Sequence, residues 1–351
     1  MAMKRGAIIG LGNVAVHGHV PGWVEQDKAQ IVAATDACAD RKRQLDACLP
    51  QAHWYDSLDE LLSTEQLDFV DICTPPGTHA DIINKALNHD LHVLCEKPLI
   101  TRISDLDELV NLAARKKRVL YTVHNWHQAP IIQKIRQLLQ SGVIGDLQEG
   151  TWQTFRTKPA IAGGPQGENW RVDPAMAGGG VLVDHGWHAL YVLYSWVDQI
   201  PTRLRAQLET QQHTQWATED TATIWLEFPT AKGEIFLTWA SDERNNRVEL
   251  KGTRGSLVIE GECIVFTPSS DQDIEQRWPC HPALSDGSHH PDWFGGIITG
   301  FLEAVNGNSQ ERDRNLQEAS LCGRLVGLAQ ESHAKDSAWL PVPKPSLYGT
   351  F

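Results

Sequence analysis

The stretch Ala7-Ile8-Ile9-Gly10-Leu11-Gly12-Asn13-Val14-Ala15 decides the fold. An apolar run opens directly into a glycine-rich turn, and a helical pattern follows over 15–26. Gly10, Gly12 and Ala15 fit G-x-G-x-x-A after a strand, with Asn13 in the same turn. The first glycine permits the tight turn, and the second lets backbone approach a pyrophosphate. The small Ala15 allows the helix to pack closely on the strand, with the helix N-terminus facing the anion. Asp36 ends the second apolar run. A carboxylate there accepts from both ribose hydroxyls and repels a 2′-phosphate. The expectation is a dinucleotide site, with NAD(H) preferred and NADP(H) second.

Further short apolar runs at 29–35, 69–73, 92–96 and 119–123 alternate with helical patterns at 39–47, 57–62, 78–88 and 104–117. This alternation predicts an α/β domain of Rossmann type, a doubly wound parallel sheet covered on both faces. Ser104 with Asp107 reads as an N-cap with a first-turn acid. Beyond residue 125 the pattern changes. A helix is expected at 131–141, a strand at 147–157, a Gly/Pro-rich segment at 159–180 and an apolar helix at 181–196. Alternating strands are expected at 203–210, 222–228, 233–240, 247–252 and 256–260, with Lys232-Gly233 and Arg254-Gly255 as turns. Residues 268–291 read as a polar loop, and helices return at 293–307 and 316–335. The second half is therefore α+β, with an antiparallel or mixed sheet. The expected division is 1–124 for the nucleotide domain and 125–351 for a substrate-binding and oligomerisation domain, whose last helices pack back on the first.

A chain of 351 residues accommodates two such domains. Its net charge of −13 argues against nucleic acid or an anionic membrane surface as partner. The seven cysteines show no C-x-x-C spacing, so neither a disulfide framework nor a zinc site is expected, and a reducing cytoplasm is. Lys4-Arg5 and the apolar run after it resemble the start of a secretory signal, but Gly10 and Gly12 break the run. No stretch reaches the roughly 18 uncharged apolar residues of a membrane span.

Cys95-Glu96-Lys97-Pro98 carries the chemistry, with Pro98 read as starting a helix. Oxidising a carbinol to a carbonyl moves a hydride to nicotinamide and a proton to a base, and Lys97 can bond the reacting oxygen. The bland alternative is a surface lysine. Asp184 and His188 stand i, i+4 on the apolar helix and share a face; a buried ion pair is their alternative. His185 points elsewhere on that helix. In the glycine-rich loop Trp170 can stack on a sugar ring, and Arg171 can donate to hydroxyls or a carboxylate; loop packing is the alternative. Arg156 at a strand end is a weaker candidate, and Trp225 and Trp239 fit core or an oligomer interface.

Two segments together resemble the glucose–fructose oxidoreductase / inositol dehydrogenase / rhizopine-catabolism (Gfo/Idh/MocA) family: Cys73-Thr74-Pro75-Pro76-Gly77-Thr78-His79, and Leu91 through Leu99. Trp170-Arg171 … Gly178-Gly179-Gly180 … Asp184 … Gly186 … His188 is similar to the family's second-domain signature. The resemblance implies a Rossmann domain and a C-terminal domain whose large, open, mainly antiparallel sheet forms a homodimer or homotetramer, with the site in the cleft between domains. It implies that Thr74, Pro75, His79, Glu96, Lys97 and Asn125 line the cofactor and that Asp184 and His188 face substrate. On this reading His188 is the principal acid/base, Asp184 its partner, and Lys97 polarises the oxygen; the sequence leaves an exchange between Lys97 and His188 open. Two departures touch the pocket. In His124-Asn125-Trp126-His127-Gln128-Ala129-Pro130, His127 replaces an arginine found in many relatives and Trp126 is bulkier, so both join the substrate candidates. Tyr191 stands where relatives often have aspartate. The implied activity is hydride transfer between a nicotinamide cofactor and a carbinol of a sugar, polyol or sugar derivative. Alternatives are a glycosidase that recycles NAD internally and a non-enzymatic NAD-binding sensor, against which the joint presence of Lys97, Asp184 and His188 weighs.

Overall fold

Strands made of uninterrupted apolar residues need cover on both faces, and the chain supplies it. In the computed structural model, which describes residues 3–161, 169–270, 274–287 and 290–343, six parallel strands form the first sheet. They are β1 (Lys4–Ile9), β2 (Ala29–Thr35), β3 (His53–Tyr55), β4 (Phe69–Ile72), β5 (His92–Cys95) and β6 (Leu120–Thr122). Their order is β3-β2-β1-β4-β5-β6. Alternate residues enter separate cores: Ala7, Ile9, Val70, Ile72 and Val93 in one, Ile8 and Leu94 in the other. The strand order reverses between β1 and β4, so the loops after them, carrying Gly10 and Thr74, meet at the crevice where such sheets bind ligands.

The second sheet has nine strands: β7 (Leu147–Phe155), β8 (Arg203–Glu209), β9 (Thr221–Glu227), β10 (Lys232–Thr238), β11 (Asn245–Gly252), β12 (Gly255–Glu260), β13 (Cys263–Pro268), β14 (Gln276–Pro279) and β15 (Leu340–Pro341). The order is β14-β13-β12-β11-β7-β10-β9-β8-β15, antiparallel except for β7 beside β10. One face, with Ile224, Leu226, Ile235 and Leu237, is buried, and helix Trp187–Val197 packs on β7 and β10. Helix Ser309–Ala334 ties the two sheets together. Asn315 bonds both the N–H and the C=O of Thr122 in β6, while Ser332 Oγ accepts the N–H of Ala206 in β8. Among the described residues no helix is long and apolar enough to cross a membrane.

The structure corrects several local expectations. Pro98 starts no helix; the next one, Ile103–Lys116, begins five residues later with Arg102 at its N-cap, and its first-turn acid is Asp105. Ser104 lies inside that helix, and Asp107 pairs with Arg324. Lys232 and Gly233 lie in β10, with the turn before them. The apolar helix expected over 181–196 opens as a wider π-type turn, Leu182–Gly186, and the helix after β1 does the same over Ala15–His19. Residues 268–291 include β14, and β13 precedes them.

Candidate active site

The nucleotide end is built at the first turn. Gly10 takes a φ of +92°, and a Cβ there would meet the Thr74 side chain at 2.9 Å and the Cys73 backbone at 3.0 Å. Gly12 faces open space where its Cβ would stand, which is what close approach of a pyrophosphate needs. Asp36 accepts the Leu11 N–H at Oδ2 (2.6 Å) and the Cys38 N–H at Oδ1 (2.8 Å), which fixes its carboxylate against the turn. A dinucleotide fits these residues: backbone for the phosphates, Asp36 for the ribose. Ala15 is fully buried and Asn13 exposed.

Two residues that the resemblance assigns to the cofactor turn inward instead. His79 is buried and bridges the carbonyls of Thr74 and Pro98, both at 2.9 Å, so it joins the two loops of the crevice. Glu96 accepts the Lys97 N–H at Oε2 and pairs with His19 at Oε1. Asp71 occupies the other ring nitrogen of His19, at 2.8 Å. Two carboxylates on one imidazole require both nitrogens protonated. Burial alone would lower His19, but Asp71 and Cys73 outweigh it and raise the ring well above its ordinary value.

The residues expected at the reacting end gather around Asp184, which lies in the π-type turn and lines a pocket. Lys97 Nζ donates to the Asp184 carbonyl (2.9 Å) and to Oδ1 (3.1 Å). Arg171 Nη1 donates to the same Oδ1 at 2.9 Å, with its guanidinium carbon 4.4 Å from the Trp170 ring centroid. Burial would raise the Asp184 carboxyl, but Arg171, Lys97 and His185 hold it well below the usual range. Lys97, Trp170, Arg171, Gly180 and Asp184 line one pocket. Gly180 is required there, because a Cβ would lie 1.9 Å from the Glu219 carbonyl. Glu219 in turn accepts the N–H groups of Gly180 and Leu182.

His188 is not bonded to Asp184. It is 6% exposed and stacks on Trp126, with centroids 4.5 Å apart and planes 11° apart. Its Nδ1 lies 2.9 Å from Tyr191 Oη, which also accepts the Trp126 N–H at 2.9 Å. The direction of the Tyr191–His188 bond follows the ring's tautomer: a Tyr191 hydroxyl that donates to Nδ1 leaves the ring's own proton on Nε2. Burial, then Lys97 and His185, hold His188 well below its ordinary value. Tyr191, which the sequence shows only as a departure from aspartate, is thus the residue that engages His188.

His185 lies beside the site and not away from it, with Nε2 3.7 Å from Asp184 Oδ2, and burial pushes it down to about 3. Arg156 is buried at the end of β7. Asn125 starts a tight turn, Asn125–Gln128, and is half-buried. His127, a substrate candidate from sequence, points away from the pocket: Nε2 reaches Glu318 at 2.9 Å and Nδ1 accepts from Arg136.

Two buried clusters have the residue types of metal ligands: His19-Asp71-Cys73 and His124-His127-Glu318. In the second, the Trp187 indole N–H donates to His124 Nε2 and Arg136 donates to His127 Nδ1. Both ring protons therefore sit on the nitrogens that approach Glu318, at 2.8 and 2.9 Å, where a metal would need bare lone pairs. In the first, both His19 nitrogens carry protons, and burial together with Asp71 pushes the Cys73 thiol up to about 12. Neither set is free to ligate.

Residues 4–124 match the profile described as oxidoreductase family, NAD-binding Rossmann fold, and residues 132–258 match the GFO/IDH/MocA C-terminal domain. D-apiose dehydrogenase of Paraburkholderia graminis is 27% identical over 270 residues, covering 74% of this chain and 68% of that protein. The NADP(+)-type D-xylose 1-dehydrogenase of Haloarcula marismortui is 22% identical over 289 residues, covering 77% and 75%. An oxidoreductase from Agrobacterium radiobacter, crystallised with NAD+, L-tartaric acid and magnesium, superposes with a TM-score of 0.82 at 21% identity, covering 97% of this chain and 99% of that one.

Proposed function

The chain belongs to the GFO/IDH/MocA family of oxidoreductases and is an NAD(P)-dependent dehydrogenase; from that premise we propose that it moves a hydride between NAD(H) and a carbinol of a sugar, polyol or sugar derivative, using Lys97 and Asp184 for the proton. The observation that carries this is the Lys97–Asp184 contact, made across the two halves of the chain in a pocket also lined by Trp170 and Arg171. Bound NAD+ supplies the hydride acceptor. In the oxidative direction Lys97, once its resting ammonium has released a proton to solvent, holds the substrate oxygen and takes its proton as the carbon–oxygen double bond forms; Asp184 fixes the lysine and shares its charge with Arg171. His188, with Nδ1 engaged by Tyr191, serves as a neutral donor at Nε2 to that oxygen, which exchanges the roles first expected for it and Lys97. Asp36 beside the turn favours NAD(H) over NADP(H).

The experiment is a panel of sugars, polyols and sugar derivatives with both cofactors, read by appearance of free reduced nicotinamide. Reduction with a carbinol substrate supports the proposal. Cofactor binding with no reduction across the panel would leave a sensor. A sugar glycoside cleaved without release of NADH would mean internal recycling.

The division at 124/125 is part of the same proposal, as is assembly with a second copy through the outer face of the large sheet. That face presents half-buried Phe155, Trp225 and Phe236, with Arg205 over Trp225 and Arg247 over Phe155. Light scattering checks it: a dimer or tetramer supports the assembly, and a monomer at micromolar concentration rejects it. The seven free cysteines support a reducing, cytoplasmic setting.

A further inference from the structure

We propose that the substrate carries an anionic group, a carboxylate or a phosphate, which is seated on Arg171 and Arg156 beside the reacting carbinol; this rests on the dehydrogenase reading above. Lys97 and Arg171 contact one carboxylate, Asp184, and a third cation, Arg156, lies within electrostatic range of it. Lys97 and Arg171 both use its Oδ1. Arg156 is 3% exposed, and among the described residues its guanidinium reaches neutral acceptors: the carbonyls of Phe155 (2.7 Å) and Asn245 (2.8 Å) and the side-chain oxygen of Asn246 (3.3 Å). It lies close enough to Asp184 and His185 to interact with both electrostatically.

Among the described residues, the neighbouring groups do not restore balance. His185 and His188 are held neutral by burial and by the cations themselves. Glu219 faces backbone N–H groups, Glu96 faces His19, and Asp286 lies near Arg244. A buried cation that shares a single carboxylate with two others and bonds neutral groups is costly, and it persists where something else completes it.

A second observation points the same way. Among the described residues, Arg156 Nε, Arg171 Nε and His185 Nδ1 are buried nitrogens without a hydrogen-bond partner, as are other atoms elsewhere in the chain, and these three belong to residues near Asp184. A bound group can satisfy them. A neutral polyol meets hydrogen bonds but not charge. A carboxylate or phosphate meets both, and the planar guanidinium fork suits either. The protein as a whole carries −13, so this positive interior is local and selects anions at the pocket.

The test compares matched substrates on the intact protein with NAD+: glucose with glucuronate and glucose 6-phosphate, and galactose with galacturonate and galactose 6-phosphate. The expected result is a kcat/KM at least about tenfold higher for one anionic member of a set than for its neutral partner. Which anionic member wins distinguishes a sugar acid from a sugar phosphate. The charged-to-neutral ratio should collapse in R171Q and R156M, and R156K should restore part of it. Because Arg156 is buried and its variants can fail to fold, the half-exposed Arg171 carries the test alone if they do.

Binding is read separately by calorimetry on the protein saturated with NADH. An anionic sugar that binds, with no NADH formed from any substrate, keeps this inference and defeats the dehydrogenase reading. A neutral sugar turned over as well as its anionic partners overturns the inference and leaves that reading standing. Binding of inorganic phosphate or chloride alone, with no preference for the sugar anion, also overturns it.

Discussion

Replacing His188 with glutamine and with alanine separates a donor from a base. Tyr191 holds Nδ1 of the ring, so the account gives His188 one working atom, a protonated Nε2. Glutamine offers an N–H at comparable reach and cannot accept a proton at working pH. Alanine offers neither. Loss of one donor aimed at a developing charge lowers turnover by about 10²–10³-fold, and loss of a general base by about 10²–10⁴-fold. H188A therefore falls at least about 10²-fold under either role and decides nothing by itself. H188Q decides: the donor role predicts turnover within about tenfold of wild type, because the donated bond survives. Alanine also removes the ring stacked on Trp126 and leaves the buried Tyr191 hydroxyl without its acceptor. That should destabilise the fold by about 1–3 kcal/mol, so rates are normalised to folded protein by circular dichroism. The assay is steady-state NADH formation with the best substrate across the pH range. Wild type should show no bend from an imidazole near 6.5, because His188 is held well below that value. If H188Q is as inactive as H188A, or a bend near 6.5 vanishes with His188, the tautomer argument is wrong.

Lys97→Ala should lower turnover by about 10²-fold or more, with NAD affinity nearly unchanged by fluorescence quenching; full turnover would remove Lys97 from the proton path. Asp36→Ala should raise kcat/KM with NADP relative to NAD, and an unchanged ratio would detach Asp36 from the ribose. Thermal stability should decline as pH falls below about 6.5, because burial holds His185 down to about 3 and His92 to about 4, with His79, His127 and His188 also lowered. Over that window the unfolded chain binds protons that the fold refuses, so acid favours unfolding. The raised His19 works the other way over the upper part of that window, where the unfolded imidazole is still taking up the proton that the fold already holds, but one such group does not outweigh the five lowered ones; a melting midpoint that rises between about pH 7 and about pH 5 would contradict the assignment.

The parallel sheet was legible because its strands are nearly pure apolar runs, buried on both faces, with glycine punctuation after β1. The edge strand β3, His-Trp-Tyr, carries no such run, since an edge is covered on fewer sides. β14 was hidden for a similar reason at the far edge of the second sheet. Both π-type turns escaped because hydrophobic periodicity over five residues does not separate a 3.6-residue turn from a wider one. That error put His185 on the wrong side of its helix and made Asp184 the neighbour of His188. Lys97, Asp184, Trp170 and Arg171 were legible by type and motif, and the fold brings them to one pocket. The His19–Asp71–Glu96 set was not, because its members lie far apart in sequence and only the tertiary fold joins them. Tyr191 was visible as a substitution, but its bonds to His188 and Trp126 depend on packing between two segments that no local pattern relates.

The most direct measurement follows a label. With a substrate bearing deuterium on the reacting carbon, NADH isolated from the reaction and weighed by mass spectrometry should carry that deuterium, and Lys97→Ala should suppress its formation by about 10²-fold or more. Deuterium that appears in water, or NADH formed at an undiminished rate without Lys97, would contradict a direct hydride transfer in which this lysine takes the proton.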